Sequence, residues 1–214
     1  MNDNYQAVLE QSRSKFAEKE PWDMAYKGAA CYQEYSPLSI RQIIIPFLGE
    51  PYLVTWPEGK VYTWNKKAEA PLSPSLLILH YLYRADGSSP EGAWVSFKEL
   101  WGGRSFDAAF KKRALNPLSS FFHTHSHLFP QAVKQMGGIE YPQYENSYFL
   151  FAFPSLPLLL TLYPGDEEVA TRSNILYDSI ANNYLETEDL AVLAEILSEN
   201  MINYASELNK TTNI

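Results

Sequence analysis

The constraint that bears hardest on the fold lies in the C-terminal half of the chain. From Tyr148 to Tyr163 the residues are almost continuously apolar, interrupted by Pro154-Ser155-Leu156-Pro157. A bilayer crossing needs about 20 apolar residues, so this stretch is too short to span a membrane and must be buried in protein. Two apolar runs split by a Pro-Ser-Leu-Pro segment predict a β-hairpin, Tyr148 to Phe153 and Leu158 to Tyr163, with a four-residue loop. The lack of polar alternation predicts strands covered on both faces.

A second β-rich region lies at 40–64. Ile43-Ile44-Ile45, Tyr52-Leu53-Val54-Thr55-Trp56 and Val61-Tyr62-Thr63-Trp64 are separated by Gly49-Glu50-Pro51 and Pro57-Glu58-Gly59-Lys60. β-Branched and aromatic runs punctuated in this way predict a three-stranded antiparallel meander. Pro46 marks its first strand as an edge or a bend.

Helical signals surround these strands. Tyr5, Val8, Leu9, Ser12 and Phe16 recur at helical spacing, and Pro21 closes that helix. Ser73-Pro74 opens a helix whose Leu76 to Leu82 are apolar nearly all round, as in a buried helix. Ser105 caps a helix bearing Phe106 and Phe110, and Asn116-Pro117 signals the start of a new one. Thr187 caps a last helix, with Glu188 and Asp189 in its first turn and Leu190, Leu193, Leu197 and Met201 on its apolar stripe.

Helices precede, separate and follow the strand groups without strict alternation. The expectation is an α+β fold: one antiparallel, possibly mixed, sheet of about five strands covered by helices, with helices at both termini. At 214 residues the chain is expected to form a single domain over 1–214. Its 17 Lys and Arg against 25 Asp and Glu leave a net charge of −8, which argues against a nucleic-acid binder. The single cysteine, Cys31, excludes an intramolecular disulfide and fits a reducing, cytoplasmic setting, where a buried structural thiol is expected. The first twenty residues are polar and of mixed charge, unlike a signal peptide, and no membrane association is expected.

The chain also resembles a known family. The residues that carry the likeness are Trp94-Val95-Ser96-Phe97-Lys98-Glu99-Leu100, Gly102-Gly103-Arg104-Ser105-Phe106-Asp107, Arg113-Ala114-Leu115, Gly137-Gly138, Pro157-Leu158, Gly165-Asp166-Glu167-Glu168, Ile175-Leu176-Tyr177-Asp178 and Glu188-Asp189-Leu190. In this order they resemble the prokaryotic domain-of-unknown-function family numbered 3786, found largely in anaerobes. The resemblance implies a fold neighbourhood and no established activity. Such domains sometimes accompany iron–sulfur or corrinoid proteins, which implies a cofactor-related role, although this chain lacks the cysteines for a cluster of its own.

Three constellations bear on chemistry. In Gly102-Gly103-Arg104-Ser105 two glycines allow close backbone approach. The following helix N-terminus offers free N–H groups, and the Arg104 guanidinium matches carboxylate or phosphate. Together they read as an anion-binding turn, or as a tight turn with Arg104 paired to an acid. His123 and His127, in Phe122-His123-Thr124-His125-Ser126-His127, would share a helix face one turn apart; with Glu140, Glu145 or an acid of 166–168 they would make a metal site, or else a solvated face. Gly165-Asp166-Glu167-Glu168 is an acidic turn, able to hold a hard cation with help from Asp178 or to pair with Arg104 or Arg172. Trp56, Trp64, Trp94 and Trp101 either line an apolar pocket or serve core and sheet surface.

The leading expectation is a small-molecule or cofactor-binding module that takes an anionic small molecule, or a cofactor protein as partner, through Gly102, Gly103, Arg104, Ser105 and Asp166. The alternatives are a metal-dependent hydrolase built on His123 and His127 with carboxylates, and a non-catalytic interaction subunit. Arg104 is expected to face an acidic residue of 165–168 or Asp178.

Overall fold

The computed structural model describes residues 2–166 and 168–212. The fold is α+β with two antiparallel sheets, so the two strand groups form separate sheets and do not join in one. The chain divides into two compact units. The first comprises residues 1–89 with 153–155 and 183–186; the second comprises 90–152, 156–182 and 187–214.

In the first unit, α1 (Asn2–Ala17) and α2 (Pro21–Lys27) precede a four-stranded meander of β1 (Cys31–Tyr35), β2 (Ile40–Phe47), β3 (Glu50–Trp56) and β4 (Val61–Thr63), in the order β1-β2-β3-β4. The meander thus gains β1, which pairs Tyr32 with Ile43 at the edge. Pro21 does not only close α1; it sits at the start of α2, where its missing N–H costs nothing. α3 (Leu72–Arg84) begins one residue before Ser73. On α1, Leu9, Ser12 and Phe16 are buried and Val8 is exposed, while the Tyr5 side chain lies outside the described residues.

The alternation of the strands settles which face is interior. Ile43, Ile45, Val54 and Val61 are buried, as are Phe16 of α1, Met24 of α2 and Leu77 of α3. The opposite row, Cys31-Ile44-Leu53-Tyr62, runs across all four strands, exposed at Cys31 and half-buried at the other three. Cys31 is therefore exposed, which corrects the expectation of a buried thiol. Its place on an edge strand, on the row away from the core, is the reason. Tyr81 of α3 is fully buried and stacks between Phe153 and Tyr184. Its hydroxyl donates to Gly28 C=O and accepts from Ser155 N–H, both at 3.0 Å. Burial pushes its phenol well above the ordinary range.

The second unit is built on a five-stranded sheet in the order β5-β9-β8-β7-β6. Its strands are β5 (Trp94–Ser96), β6 (Ile139–Glu140), β7 (Ser147–Phe153), β8 (Leu156–Tyr163) and β9 (Arg172–Asp178). The predicted hairpin is β7–β8, but β8 starts at Leu156, so the turn shrinks to Pro154-Ser155. Pro157 fits because it stands at the second residue of the strand, where a missing donor disturbs the ladder least. β8 is central and its residues from Leu156 to Leu162 are buried, as the apolar run required.

Helices α4 (Gly103–Phe110), α5 (Asn116–Thr124), α6 (Phe129–Gln135), the short α7 (Ala181–Tyr184) and α8 (Thr187–Thr212) complete the fold. α4 and α6 pack on α8, and α5 packs on both α8 and β9. α5 begins at Asn116 with Pro117 in its first turn, as the Asn116-Pro117 signal predicts, but no break in the helical run precedes it. A π-helical turn, Lys111–Leu115, joins α4 to α5, and Phe110, Leu115 and Asn116 all keep right-handed helical backbone. Pro117 has no N–H to donate and its ring would crowd the preceding turn of a regular helix. The wider turn accommodates it, and side chains satisfy carbonyls there: Ser198 Oγ donates to Ala114 C=O at 2.9 Å and Ser173 Oγ to Leu115 C=O at 3.0 Å. Among the described residues no helix is long and apolar enough to cross a membrane.

Candidate functional site

The second unit carries a cleft of about 410 Å³ between α5 and the loop joining β8 to β9. Ser119, Ser120 and His123 line it from the helix; Asp166, Glu168 and Thr171 line it from the loop. The spacing explains the helical side, since residues three and four apart share a face. The loop side is shaped by Gly165, where a Cβ would stand 2.0 Å from Val169 O, so only glycine closes the turn. Asp166 fastens it: Oδ1 accepts from Glu168 N–H at 2.9 Å and from Val169 N–H at 2.8 Å. Those two bonds hold the Asp166 carboxyl below its usual range. Glu167 lies outside the described residues.

Within the cleft His123 Nδ1 and Thr171 Oγ1 share a hydrogen bond of 3.1 Å. The same hydroxyl accepts Gly165 N–H at 2.8 Å. Ser119 Oγ accepts Ser173 N–H at 2.9 Å and lies 2.8 Å from Ser173 Oγ. The wall is therefore a preorganised set of hydroxyls beside an imidazole, with two carboxylates at the rim. Such a surface offers donors and acceptors to a small polar molecule, and the carboxylates oppose an anion.

Among the described residues, which leave out Glu167, the expected pairing of Arg104 with the acidic turn is not found. α4, the π-turn and α5 form an unbroken helical run from Gly103 to Thr124. Arg104 and His123 stand near its opposite ends, roughly 25–30 Å apart at about 1.5 Å per residue. Asp166 lies at the His123 end. Among the described residues Arg104 forms no ion pair, and it is exposed. Asp178 faces neither Arg104 nor a cation site. It is fully buried, and its carboxylate accepts backbone N–H groups of Gly92 at 2.7 Å and of Glu91 and Ile180 at 3.2 Å.

The glycine pair has a packing explanation. Gly102 takes a left-handed backbone, φ 75°, and a Cβ on Gly103 would stand 1.9 Å from Phe97 O. Ser105 N–H closes the turn on Gly102 C=O at 3.1 Å. Gly102, Gly103, Arg104 and Ser105 thus sit together at the start of α4, away from the cleft that holds Asp166.

His123 and His127 do not share a helix face. α5 ends at Thr124, His125 leaves helical geometry at φ −124°, ψ 31°, and His127 belongs to a 3-10 turn, Ser126–Leu128. His125 stacks on Phe121 with ring centroids 4.7 Å apart and bonds to Phe121 C=O through Nδ1 at 3.1 Å, which ends the helix. Among the described residues no group of three His, Cys, Asp or Glu converges as metal donors would. The tryptophans do not converge either: Trp64 and Trp56 border different clefts of the first unit, Trp94 packs edge-on to Tyr141 and Phe149, and Trp101 is 86% exposed.

Sequence reasoning missed Ser119, Ser120 and Thr171. The signal was present in part, because Ser119-Ser120 precede His123 by one helical turn. Thr171 could be tied to them only through the return of β9 to the sheet.

An α+β protein with a polar cleft at the end of a long helical run is the class these features define. The model of a domain of unknown function, DUF3786, matches residues 26–200, and the chain belongs to that family. No curated protein and no solved structure matches the chain.

Proposed function

We propose that this chain is a small-molecule-binding module whose site is the α5/β8–β9 cleft. Its ligand is small and polar, rich in hydroxyl groups or carrying an amine. The supporting observation is the convergence of Ser119, Ser120, Thr171, His123 and Asp166 on one cavity of about 410 Å³, a volume in the range of small-ligand sites. The carboxylates of Asp166 and Glu168 at the rim favour such a ligand over an anion, so the expected anionic ligand of the Arg104 turn gives way to one of different charge. A second concavity, about 610 Å³ and lined by Leu53, Tyr62, Thr63, Trp64 and Lys67, is larger and more apolar and holds neither an imidazole nor a carboxylate. A cytoplasmic setting goes with this reading, supported by the exposed thiol of Cys31.

The test is a thermal-shift and calorimetric panel of polyols, sugars, amines, amino acids, phosphates and carboxylates. A ligand at a hundredfold excess over its Kd stabilises the folded state by about 2.7 kcal/mol. Hydroxylated or amine-bearing compounds are expected to stabilise the wild type and to lose their effect with His123→Ala and Ser120→Ala. A panel in which only phosphates or carboxylates bind, or in which both variants bind as the wild type does, overturns the assignment.

A further inference from the structure

The hydrogens of the α5/β8–β9 cleft can be followed one by one, because a hydroxyl donates a single hydrogen and a neutral imidazole carries a single N–H. Ser173 Oγ donates to Leu115 C=O at 3.0 Å, which uses its hydrogen. The contact of 2.8 Å between Ser119 Oγ and Ser173 Oγ therefore runs from Ser119 to Ser173. Ser119 Oγ also accepts Ser173 N–H at 2.9 Å, so this hydroxyl keeps no hydrogen for a ligand. Thr171 Oγ1 accepts Gly165 N–H at 2.8 Å, and its other partner among the described residues is His123 Nδ1 at 3.1 Å. Thr171 is only 7% exposed, and a buried hydroxyl hydrogen left unpaired is costly. That hydrogen is paired when it goes to Nδ1, which places the proton of the neutral ring on Nε2.

What the cleft keeps for a ligand follows. His123 Nε2–H is a donor with no protein partner among the described residues, on a ring that Thr171 holds in place. The Ser120 hydroxyl, also on the cleft wall, turns freely. Asp166 Oδ1 is occupied by the N–H groups of Glu168 and Val169, while Oδ2 takes no hydrogen bond from another described residue. Neither Asp166 nor Glu168 forms an ion pair among the described residues, and no Lys or Arg is among those that line the cleft.

Resting on the assignment of the ligand site to this cleft, we propose that His123 is its fixed donor, through Nε2–H, and that the ligand is an amino alcohol. Its ammonium group meets Asp166 and Glu168, and its oxygen accepts from His123. An amine without an oxygen leaves Nε2–H with no acceptor. A polyol without an amine gives the carboxylates neutral donors, about half as strong as charged ones. A ligand carboxylate in place of the alcohol oxygen would face two acids with no lining cation to offset them. Thr171 is a positioning residue, which sets the tautomer of the ring.

The full chain, labelled with nitrogen-15, is studied by NMR at about pH 7.5, about one unit above the usual imidazole value. His123 is expected to show a protonated Nε2 and a bare Nδ1 without ligand, and to keep this form in Thr171→Ser. In Thr171→Val, which removes the donor to Nδ1, the other tautomer should appear. Binding is titrated with 2- and 4-aminocyclohexanol, cyclohexane-1,2-diol and cyclohexylamine, which share one ring. The better amino alcohol is expected to bind at least tenfold more tightly than the diol or the simple amine. Its Kd should rise at least tenfold with Asp166→Asn, which keeps Oδ1 for the turn, and with His123→Asn. His123→Gln, whose amide nitrogen reaches the place of Nε2, should restore most of the affinity. A ligand-free ring protonated at Nδ1 overturns the proposal, as does a diol or simple amine that binds as tightly as the amino alcohols; the cleft then stands as a site with a different ligand. The proposal also falls if none of these compounds moves the cleft resonances, and the cleft assignment falls with it only if the wider panel of compounds leaves them unmoved too.

Discussion

The imidazole of His123, at the end of α5, and the hydroxyl of Thr171, at the head of β9, meet across 3.1 Å. Thr171 also holds Gly165 N–H, so one oxygen ties the helix end to the mouth of the β8–β9 loop. Thr171→Val keeps the shape and removes both bonds. It is expected to destabilise the fold by about 1–3 kcal/mol, the cost of leaving a part-buried N–H unpaired. Urea unfolding measures this, and a change within 0.3 kcal/mol of zero would show that water replaces the hydroxyl at about equal free energy.

The two glycines at the start of α4 should respond differently to the same substitution. Gly103→Ala forces a methyl group to within 1.9 Å of Phe97 O. The backbone must move, at a cost of about 1–3 kcal/mol or more. Gly102→Ala meets no atom within 4 Å and has only its φ of 75° to contend with, about 1–2 kcal/mol. Chemical denaturation of the pair should rank Gly103→Ala as the more damaging; the reverse order would contradict the close packing on Phe97.

Ser198→Ala removes the hydroxyl that donates to Ala114 C=O in the π-turn. Ser198 is fully buried, so solvent does not readily take its place. A loss of about 1–2 kcal/mol is expected, and hydrogen exchange should rise at amides of Lys111–Leu115 before it rises elsewhere in the helical run.

Ser96 holds the Glu99 carboxyl below its ordinary value, first through its hydroxyl and then through its backbone N–H. A carboxylate depressed in the folded state contributes stability above its unfolded pKa, near 4.5, and loses it as pH falls through the lower, folded value. Ser96→Ala should therefore move the Glu99 titration upward, toward the ordinary value, in an NMR pH series. An unmoved titration would mean that the capping box is not formed in solution.

Tyr81→Phe deletes a buried hydroxyl that serves Gly28 C=O and Ser155 N–H together. The stacked rings remain, and two buried backbone groups lose their partner. The expected cost is about 2–4 kcal/mol, read from the thermal or urea transition of the full chain.

What could be read in advance followed local patterning. The apolar run of 148–163 became β7 and β8, and the Val, Thr and aromatic runs of 52–64 became β3 and β4 because burial on one face demands that alternation. The helix from Thr187 followed its apolar stripe. β9 carries no clear strand signal, because its interior row includes Ser173 beside Ile175 and Tyr177 and the polar member hides the period. The pattern Thr187-Glu188-Asp189 predicts a cap, yet the Thr187 hydroxyl goes to Trp101 C=O, a partner that no local pattern names. Arg104 and Asp166 looked complementary by charge. Charge carries no address, though, and the continuity of the helix from Gly103 to Thr124 placed them at different ends. The cleft was half visible, in Asp166 and His123, and its hydroxyl wall was not, because serines mid-helix are ordinarily solvated.

The π-turn at Lys111–Leu115 also absorbs an angular step. Each residue of an α-helix advances the side-chain direction by about 100°, and a π-turn takes up one extra residue locally, so the helix on either side keeps the phase of an uninterrupted one. Deleting one residue of the turn would restore a regular helix and leave Ser119, Ser120 and His123 turned to the cleft, while setting the Pro117 ring against the turn before it. Deleting Leu118, beyond the turn, would instead swing the same three residues by about 100° off the cleft. The wide turn is thus a buffer in the reading frame of the helix, and the segment after it has none.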